Sequence, residues 1–238
     1  MSQIDAAMIM GAGIGSRMRP LTDDRPKPLV TVGGKPLIDH SIDRLVAAGI
    51  RRIVVNLHYK GEMLRTHLQQ RQDVEIIFSD ETEQLLDTGG GVVKALRHFG
   101  DAPFFILNSD SIWVERAGSA LAAMIEHWNP TRMDGLLLLA DMQTAMGYDG
   151  MGDFVLKAEG HVLRARDQAR GAYAYPGVQI AHPRLFAGAP EGAFSTNLMW
   201  DRAITRGRLF GTVLDGVWIH VGTPAARDEA EAYLRQPA

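Results

Sequence analysis

Three glycines in five residues, Gly11, Gly13 and Gly15, run into Ser16 and Arg17 and then to Lys27, all within GAGIGSRMRPLTDDRPKPL. Glycine uncovers backbone N–H groups and lets the chain approach a ligand closely, which suits phosphate oxygens. Arg17 adds a planar fork of donors and Lys27 a point charge. Pro26 and Pro28 stiffen the chain on both sides of Lys27. A loop bare at one end and cationic at the other is suited to a polyanion such as a phosphate ester.

The spacing argues against two common phosphate loops. There is no GxxxxGK[ST], and GAGIGS only approximates GxGxxG, with Ser16 in its last position. A dinucleotide-binding loop runs directly into a helix, but Pro20, Pro26 and Pro28 interrupt any helix here. The next strand-like run, RIVVNL, begins only at Arg52 and ends in Asn56-Leu57, without the acidic residue that would hold a ribose. A nicotinamide-dependent oxidoreductase is therefore disfavoured.

Downstream, Asn108-Ser109-Asp110 ends the apolar run PFFIL. A carboxylate in that place either caps a helix or stands at the functional edge of a sheet as a ligand for a hard cation.

These residues need elements to carry them. Ala6–Met10, Arg52–Leu57, Val74–Phe78, Pro103–Leu107 and Gly135–Ala140 are short apolar runs that predict buried strands. Between them, helical spacing predicts helices over Pro36–Ala48, Gly61–Gln70, from Gly89 to Leu96, and Leu121–Trp128. Strands without polar alternation, separated by helices, imply an α/β fold with a mainly parallel sheet covered on both faces. Ligands bind beyond the carboxyl ends of such strands, where the glycine loop leaves the first one. After residue 141 the pattern shifts to strand-like pieces at Phe154–Lys157, His161–Arg164 and Tyr173–Ile180. A helix at Ser195–Thr205, strands at Leu209–Leu214 and Val217–His220, and a helix at Pro224–Leu234 follow. No linker separates the halves, so one domain is expected.

The whole chain narrows the classes. It has 238 residues, 46% hydrophobic and 22% charged, which is enough for a sizeable core. A net charge of −3 disfavours a general nucleic-acid surface, while leaving room for a local anion site. With no cysteine, disulfides, thiolate metal sites and a cysteine nucleophile are excluded. No apolar run reaches the ~18 residues of a membrane span, and Asp5 sits where a signal peptide would be basic or apolar, so the cytoplasm is expected.

The stretch MGAGIGSRMRPLTDDRPKPLVTVGGKPLI resembles the signature of the sugar-1-phosphate nucleotidyltransferases. DTGGGVVKAL (Asp87–Leu96), NSD (Asn108–Asp110), GDF (Gly152–Phe154), YPGV (Tyr175–Val178) and HVGTP (His220–Pro224) follow in that family's order. The resemblance implies a Rossmann-like mixed, mainly parallel sheet with helices on both faces in a single domain. Its nucleotide-binding part would be about 1–141 and its sugar-binding part about 142–238. The implied reaction joins a nucleoside triphosphate to a sugar 1-phosphate and releases pyrophosphate. Compact length and the TGGG, NSD and GDF pieces are similar to members that use UTP and N-acetylmuramate 1-phosphate. A mannose-1-phosphate guanylyltransferase-like enzyme and a non-catalytic nucleotide-sugar sensor are the alternatives. A monomer or small homo-oligomer is expected.

The resemblance also implies roles. Gly11, Gly13, Gly15 and Ser16 would line the nucleotide, with Arg17 on the β- and γ-phosphates and Lys27 between the α-phosphate and the attacking phosphate. Asp110 would hold Mg²⁺, and Asn108 would contact the nucleotide. Gly90 and its neighbours either form a tight helix entrance or let backbone approach the base, with Thr88 nearby. Asp153 is either a turn residue or a sugar ligand, and Tyr175, Gly177 and Val178 would line the sugar pocket. One departure stands out: the family places Asp before VGT as a second metal ligand, and this chain has His220. Imidazole suits Mn²⁺ better than Mg²⁺. His220 is thus a metal ligand, a phosphate contact or a packed strand residue.

Overall fold

A computed structural model describes residues 4–165 and 172–236. Strand β1 (Ala6–Met10) enters the glycine loop, which carries single 3-10 turns at Ser16–Met18 and Lys27–Leu29. A small hairpin, β2 (Thr31–Val32) and β3 (Lys35–Pro36), leads to α1 (Leu37–Ala47). Then come β4 (Arg52–Leu57), α2 (Gly61–Leu68), β5 (Glu75–Asp80), α3 (Asp87–Ala95), β6 (Phe104–Asn108), β7 (Ser111–Glu115), α4 (Ala120–His127) and β8 (Gly135–Asp141). The second half holds β9 (Phe154–Leu156), β10 (Val162–Arg164), β11 (Ala172–Ala174), β12 (Val178–Ala181), α5 (Asn197–Thr205), β13 (Leu209–Val213), β14 (Gly216–His220) and α6 (Pro224–Leu234).

Among the described residues the main sheet runs β10-β9-β11-β8-β12-β6-β1-β4-β5, with β13 also paired to β8. Strands β5, β4, β1 and β6 are parallel, and β12 runs against both β6 and β8. Residues of the second half are therefore woven into the sheet of the first, as expected of one mixed, mainly parallel domain.

The apolar strands alternate between two cores. Ala7, Ile9, Ile53 and Val55 face Ile38, Ile42 and Leu45 of α1, Leu64 and Leu68 of α2, and Leu121 and Met124 of α4. Ala6, Met8 and Val54 face Val92 and Ala95 of α3 and Met199, Trp200 and Ala203 of α5. Both faces are covered, which is why these strands lack polar alternation. Each fully buried Leu or Ile contributes about 1.5–3 kcal/mol by leaving water, so the sheet is a rigid base for what projects from its edge.

Two features depart from the expected elements. The run Tyr173–Ile180 is two strands, because Pro176 has no N–H to give a ladder and Gly177 has φ +79°. Strand β7 was not anticipated. It pairs antiparallel with β14 and sets His220 opposite Ser111, next to Asp110.

Candidate active site

The register of β1 against β6 pairs Met10 with Asn108. The glycine loop and the Asn108-Ser109-Asp110 turn therefore leave adjacent strands at the same edge. Asp110 is followed by strand β7, so the helix-cap alternative for its carboxylate falls away.

Lys27 reaches this turn across the loop. Its Nζ lies 2.5 Å from Asp110 Oδ2, with the two side chains 13% and 21% exposed. Its neighbours Pro26 and Pro28 are buried and anchor it. Gly15 makes the approach possible. It has φ +67°, and a Cβ there would stand 2.9 Å from the Lys27 Cβ. The Thr22 hydroxyl donates to the Gly15 carbonyl at 2.9 Å, and the Tyr59 hydroxyl to the Thr22 carbonyl at 2.9 Å, bracing the curve.

Burial pushes the Asp110 carboxyl up, but the Lys27 charge and hydrogen bond outweigh it, and the net shift is downward. Asp110 is an anion at neutral pH. Burial holds the His220 imidazole below its usual value against the pull of Asp110, with Lys27 and Arg17 reinforcing the decrease. At neutral pH this ring is uncharged, which disfavours the ionic form of a phosphate contact.

Two cavities, about 370 and 330 Å³, meet at this point and share Met10, Asp87, Thr88, Asn108 and Asp110. The smaller is walled by Gly13, Gly15, Ser16, Arg17 and Lys27, and by Asn56 and Glu81. Arg17 is exposed, and no carboxylate pairs with it among the described residues. Arg19 and Arg25, by contrast, pair with Asp23 and Asp24. The larger cavity is walled by Asp153, Tyr175 and His220, and also by Tyr148, Arg164, Gln179 and Trp200. Asp153 accepts from the Tyr175 N–H at 2.8 Å and from the Tyr148 hydroxyl at 3.3 Å. Burial, reinforced by Asp153, pushes the Tyr148 hydroxyl up to about 12, so it remains a neutral donor.

Four expected site residues do not line either cavity. Gly11 spends its N–H on Asn56 Oδ1 at 2.7 Å, and a Cβ would stand 2.9 Å from the Asn56 carbonyl oxygen. Gly90 gives its N–H to the Phe194 carbonyl at 3.2 Å, and a Cβ would stand 2.2 Å from the Gly192 oxygen. The close approach at the α3 entrance is thus to the protein's own chain. Val178 is fully buried in the core. Gly177 lies behind Asn108, accepting its N–H at 2.7 Å.

Gly177 therefore has a strict steric role. A Cβ would meet the Asn108 side chain at 2.6 Å, at a φ that L-residues avoid. Gly177→Ala is expected to destabilise the protein by more than about 1 kcal/mol in urea unfolding. It should also displace the Asn108 side chain from the wall that both cavities share. An unchanged unfolding midpoint would contradict this account.

Sequence reasoning passed over Asn56 and Glu81. Asn56 Nδ2 donates to Glu81 Oε1 at 2.7 Å, and Glu81 Oε2 accepts from the Leu86 N–H at 3.1 Å. Both residues are 1% exposed. This bridge ties the glycine loop to the α3 entrance. Its only trace in the sequence is an asparagine ending an otherwise apolar strand.

Among the described residues no three His, Cys, Asp or Glu converge as a metal cluster. The donor set is one ionised carboxylate, Asp110, with the His220 ring on the neighbouring strand. That set is too small to hold a hard divalent cation alone, but it fits one that brings phosphate and water ligands.

Comparison with known proteins agrees with this geometry. The Nucleotidyl transferase family profile matches residues 6–152. An N-acetylmuramate alpha-1-phosphate uridylyltransferase of Caulobacter vibrioides is 45% identical over 235 residues, 97% of each chain. The protein of the same name from Neisseria meningitidis serogroup B is 34% identical, covering 95% of this chain and 96% of its own. In fold, the chain is similar to the crystal structure of HddC from Yersinia pseudotuberculosis complexed with GMP-PN. The TM-score is 0.79 at 21% identity, covering 98% of this chain and all of that one. A phosphate-suited loop, an ionised aspartate at the edge of a mixed sheet and relatives matched along nearly the whole length lead to one assignment: this chain belongs to the nucleotidyl transferase family, as a sugar-1-phosphate nucleotidyltransferase.

Proposed function

We propose that this enzyme transfers a uridylyl group from UTP to N-acetylmuramate 1-phosphate, releasing pyrophosphate and forming the UDP-sugar. The observation that carries this reading is the meeting of two cavities at the Lys27–Asp110 pair. The relatives matched over nearly their whole length support the choice of substrates.

The smaller cavity takes the nucleotide. Apart from Gly222, its walls come from residues up to Asp110. The larger cavity takes the sugar phosphate and draws about two thirds of its wall from residues beyond 141. This supports a nucleotide-binding part of about 1–141 and a sugar-binding part of about 142–238. In the larger cavity the Trp200 indole N–H donates to Gln179 Oε1 at 2.9 Å. An indole only donates, so the Gln179 amide NH₂ remains as a donor, a match for an acetamido carbonyl.

A sugar-phosphate oxygen attacks the α-phosphorus, and the bond from that phosphorus to the bridging oxygen of the leaving pyrophosphate breaks. Nucleophile and leaving group are both already anionic, so no general base is required. Asp110, held ionised, is not asked to accept a proton. Catalysis is then positioning and charge stabilisation. Lys27 has three donors, of which one is used by Asp110, so two remain for phosphate oxygens. Arg17 stands beside the glycine loop to neutralise the departing pyrophosphate. Asp110, with His220 beside it, would hold a Mg²⁺ ion that lessens the repulsion between two polyanions. We place the reaction in the cytoplasm, where nucleoside triphosphates are supplied, carried out by a monomer or small homo-oligomer without nucleic-acid or membrane partners. No helix among the described residues is long and apolar enough to cross a membrane.

A coupled pyrophosphate assay across the four ribonucleoside triphosphates and a panel of sugar 1-phosphates tests the reading. UTP with N-acetylmuramate 1-phosphate should give the highest kcat/KM. Preference for GTP with mannose 1-phosphate would overturn it, as would nucleotide binding without pyrophosphate release.

His220 adds a measurable consequence. With a neutral imidazole beside one carboxylate, Mg²⁺ should bind the apoprotein weakly and enter chiefly with the triphosphate. Mn²⁺ should support turnover at lower concentration. His220→Asp should tighten Mg²⁺ binding to the apoprotein, read by calorimetry, and narrow the gap between the metals. An unchanged metal preference with lowered stability would mark His220 as a packed strand residue.

A further inference from the structure

Arg164 ends strand β10 and is held as a fixed fork in the wall of the larger cavity. Its guanidinium stacks 4.8 Å from the Phe154 ring centroid and 5.5 Å from that of Trp200. Its Nε donates to Asp201 at 2.7 Å, and its Nη2 to the carbonyl and Oδ1 of Asn197 at 3.2 and 3.0 Å. Among the described residues its Nη1 has no partner. The side chain is 24% exposed.

The charge around it is lopsided. Asp87, Asp110 and Asp153 line this cavity, and Arg164 is the one Lys or Arg on the wall among the described residues. Asp201, its ionic partner, is 58% exposed and does not line the cavity. A neutral sugar offers that cation only hydroxyl oxygens, an ordinary hydrogen bond, whereas a carboxylate would pair with its charge. A sugar bearing a carboxylate would meet three carboxylates on an otherwise neutral wall, with Arg164 as its one cationic partner among the described residues. The reacting phosphate lies toward Lys27, at the Asp110 wall that the two cavities share, so Arg164 is left for a second anionic group.

We propose that Arg164 determines specificity by pairing with a carboxylate on the sugar of the acceptor substrate. This rests on the uridylyltransferase reading above and deepens it. The lactyl group of N-acetylmuramate carries such a carboxylate, and N-acetylglucosamine lacks it. Guanidinium and carboxylate form short, charge-assisted bonds, and the remaining Nη1 is already oriented by the stacking and by the bonds of Nε and Nη2.

The experiment measures pyrophosphate release with UTP and either N-acetylmuramate 1-phosphate or N-acetylglucosamine 1-phosphate, for wild type, Arg164→Gln and Arg164→Lys. Wild type should prefer the acidic sugar. Arg164→Gln should lower kcat/KM for it by at least ~10-fold, mainly through KM, as for a lost hydrogen bond to a charged group. Activity on N-acetylglucosamine 1-phosphate should stay within a few-fold. Arg164→Lys, which keeps the charge but loses the fork, should show an intermediate ratio of the two sugars. Equal losses on both sugars would overturn the proposal and reduce Arg164 to a brace for α5. If Arg164→Gln does not fold, an unchanged ratio in Arg164→Lys overturns it equally. A wild type that prefers N-acetylglucosamine 1-phosphate refutes this inference but leaves uridylyl transfer intact. A wild type that uses UTP with neither sugar refutes the function reading and this inference with it.

Discussion

Lys27→Ala is expected to lower kcat/KM by at least ~100-fold, the scale on which losing one preorganised charge-stabilising donor acts. The residue sits where the two cavities meet, with its ammonium on Asp110 and its flanking prolines buried. Losing it removes the positive charge nearest the shared wall, where attacking and attacked phosphates would both lie. Lys27→Arg should recover only part of the activity, because a planar fork does not occupy the position of a compact ammonium. A kcat/KM within a few-fold of wild type would remove Lys27 from the mechanism.

The same substitution has a pH signature in the absence of substrate. The folded-state carboxyl of Asp110 is depressed by Lys27. A depressed carboxyl contributes stability that is present above its unfolded value and lost as pH falls through its folded value. The stability gap between wild type and Lys27→Ala should therefore be open at neutral pH and close below the ordinary carboxylate range. Chemical denaturation at a series of pH values measures it. A gap that stays constant across that range would mean that Asp110 does not feel Lys27.

Asp110→Asn is expected to lower turnover by more than ~1,000-fold at ordinary Mg²⁺ concentration, since metal charge stabilisation is worth several kcal/mol. Its effect on the free protein follows from the ion pair. Lys27 would lose its anionic partner while only 13% exposed. Breaking a fully buried pair costs 3–5 kcal/mol; residual solvent reduces this to about 1–2 kcal/mol here. Retained turnover with only the stability loss would reassign Asp110 to a structural role. Raising Mg²⁺ should not restore the variant, because the amide oxygen carries no charge to offset the cation.

Much of this protein was legible in its sequence for local reasons. The parallel half of the sheet was readable because buried strands are continuous apolar runs and their helices repeat at 3.6 residues, as in Ile38, Ile42 and Leu45. The family was readable because its phosphate loop is one unbroken segment whose glycines, prolines and cations act through local backbone chemistry. Asp110 was legible as a carboxylate in the turn just after an apolar strand, the edge at which ligands of such sheets bind.

What only the tertiary structure decided depends on pairing across long separations. The salt bridge joins residues 27 and 110, and no local pattern encodes it. Ser111–Glu115 forms a strand because β14 supplies its partner ladder, and that register carries His220 to Asp110. The glycines were ambiguous because one residue type serves both ligand approach and close packing. At Gly15 the small size admits Lys27 to the site wall, whereas at Gly11 and Gly90 it admits Asn56 and Gly192 of the chain itself. Arg164 reads as an ordinary surface charge until Phe154, Trp200 and Asp201 converge to hold its fork in the cavity wall. Local periodicity specifies which residues are buried, but which polar groups meet is decided only when distant strands and helices pack.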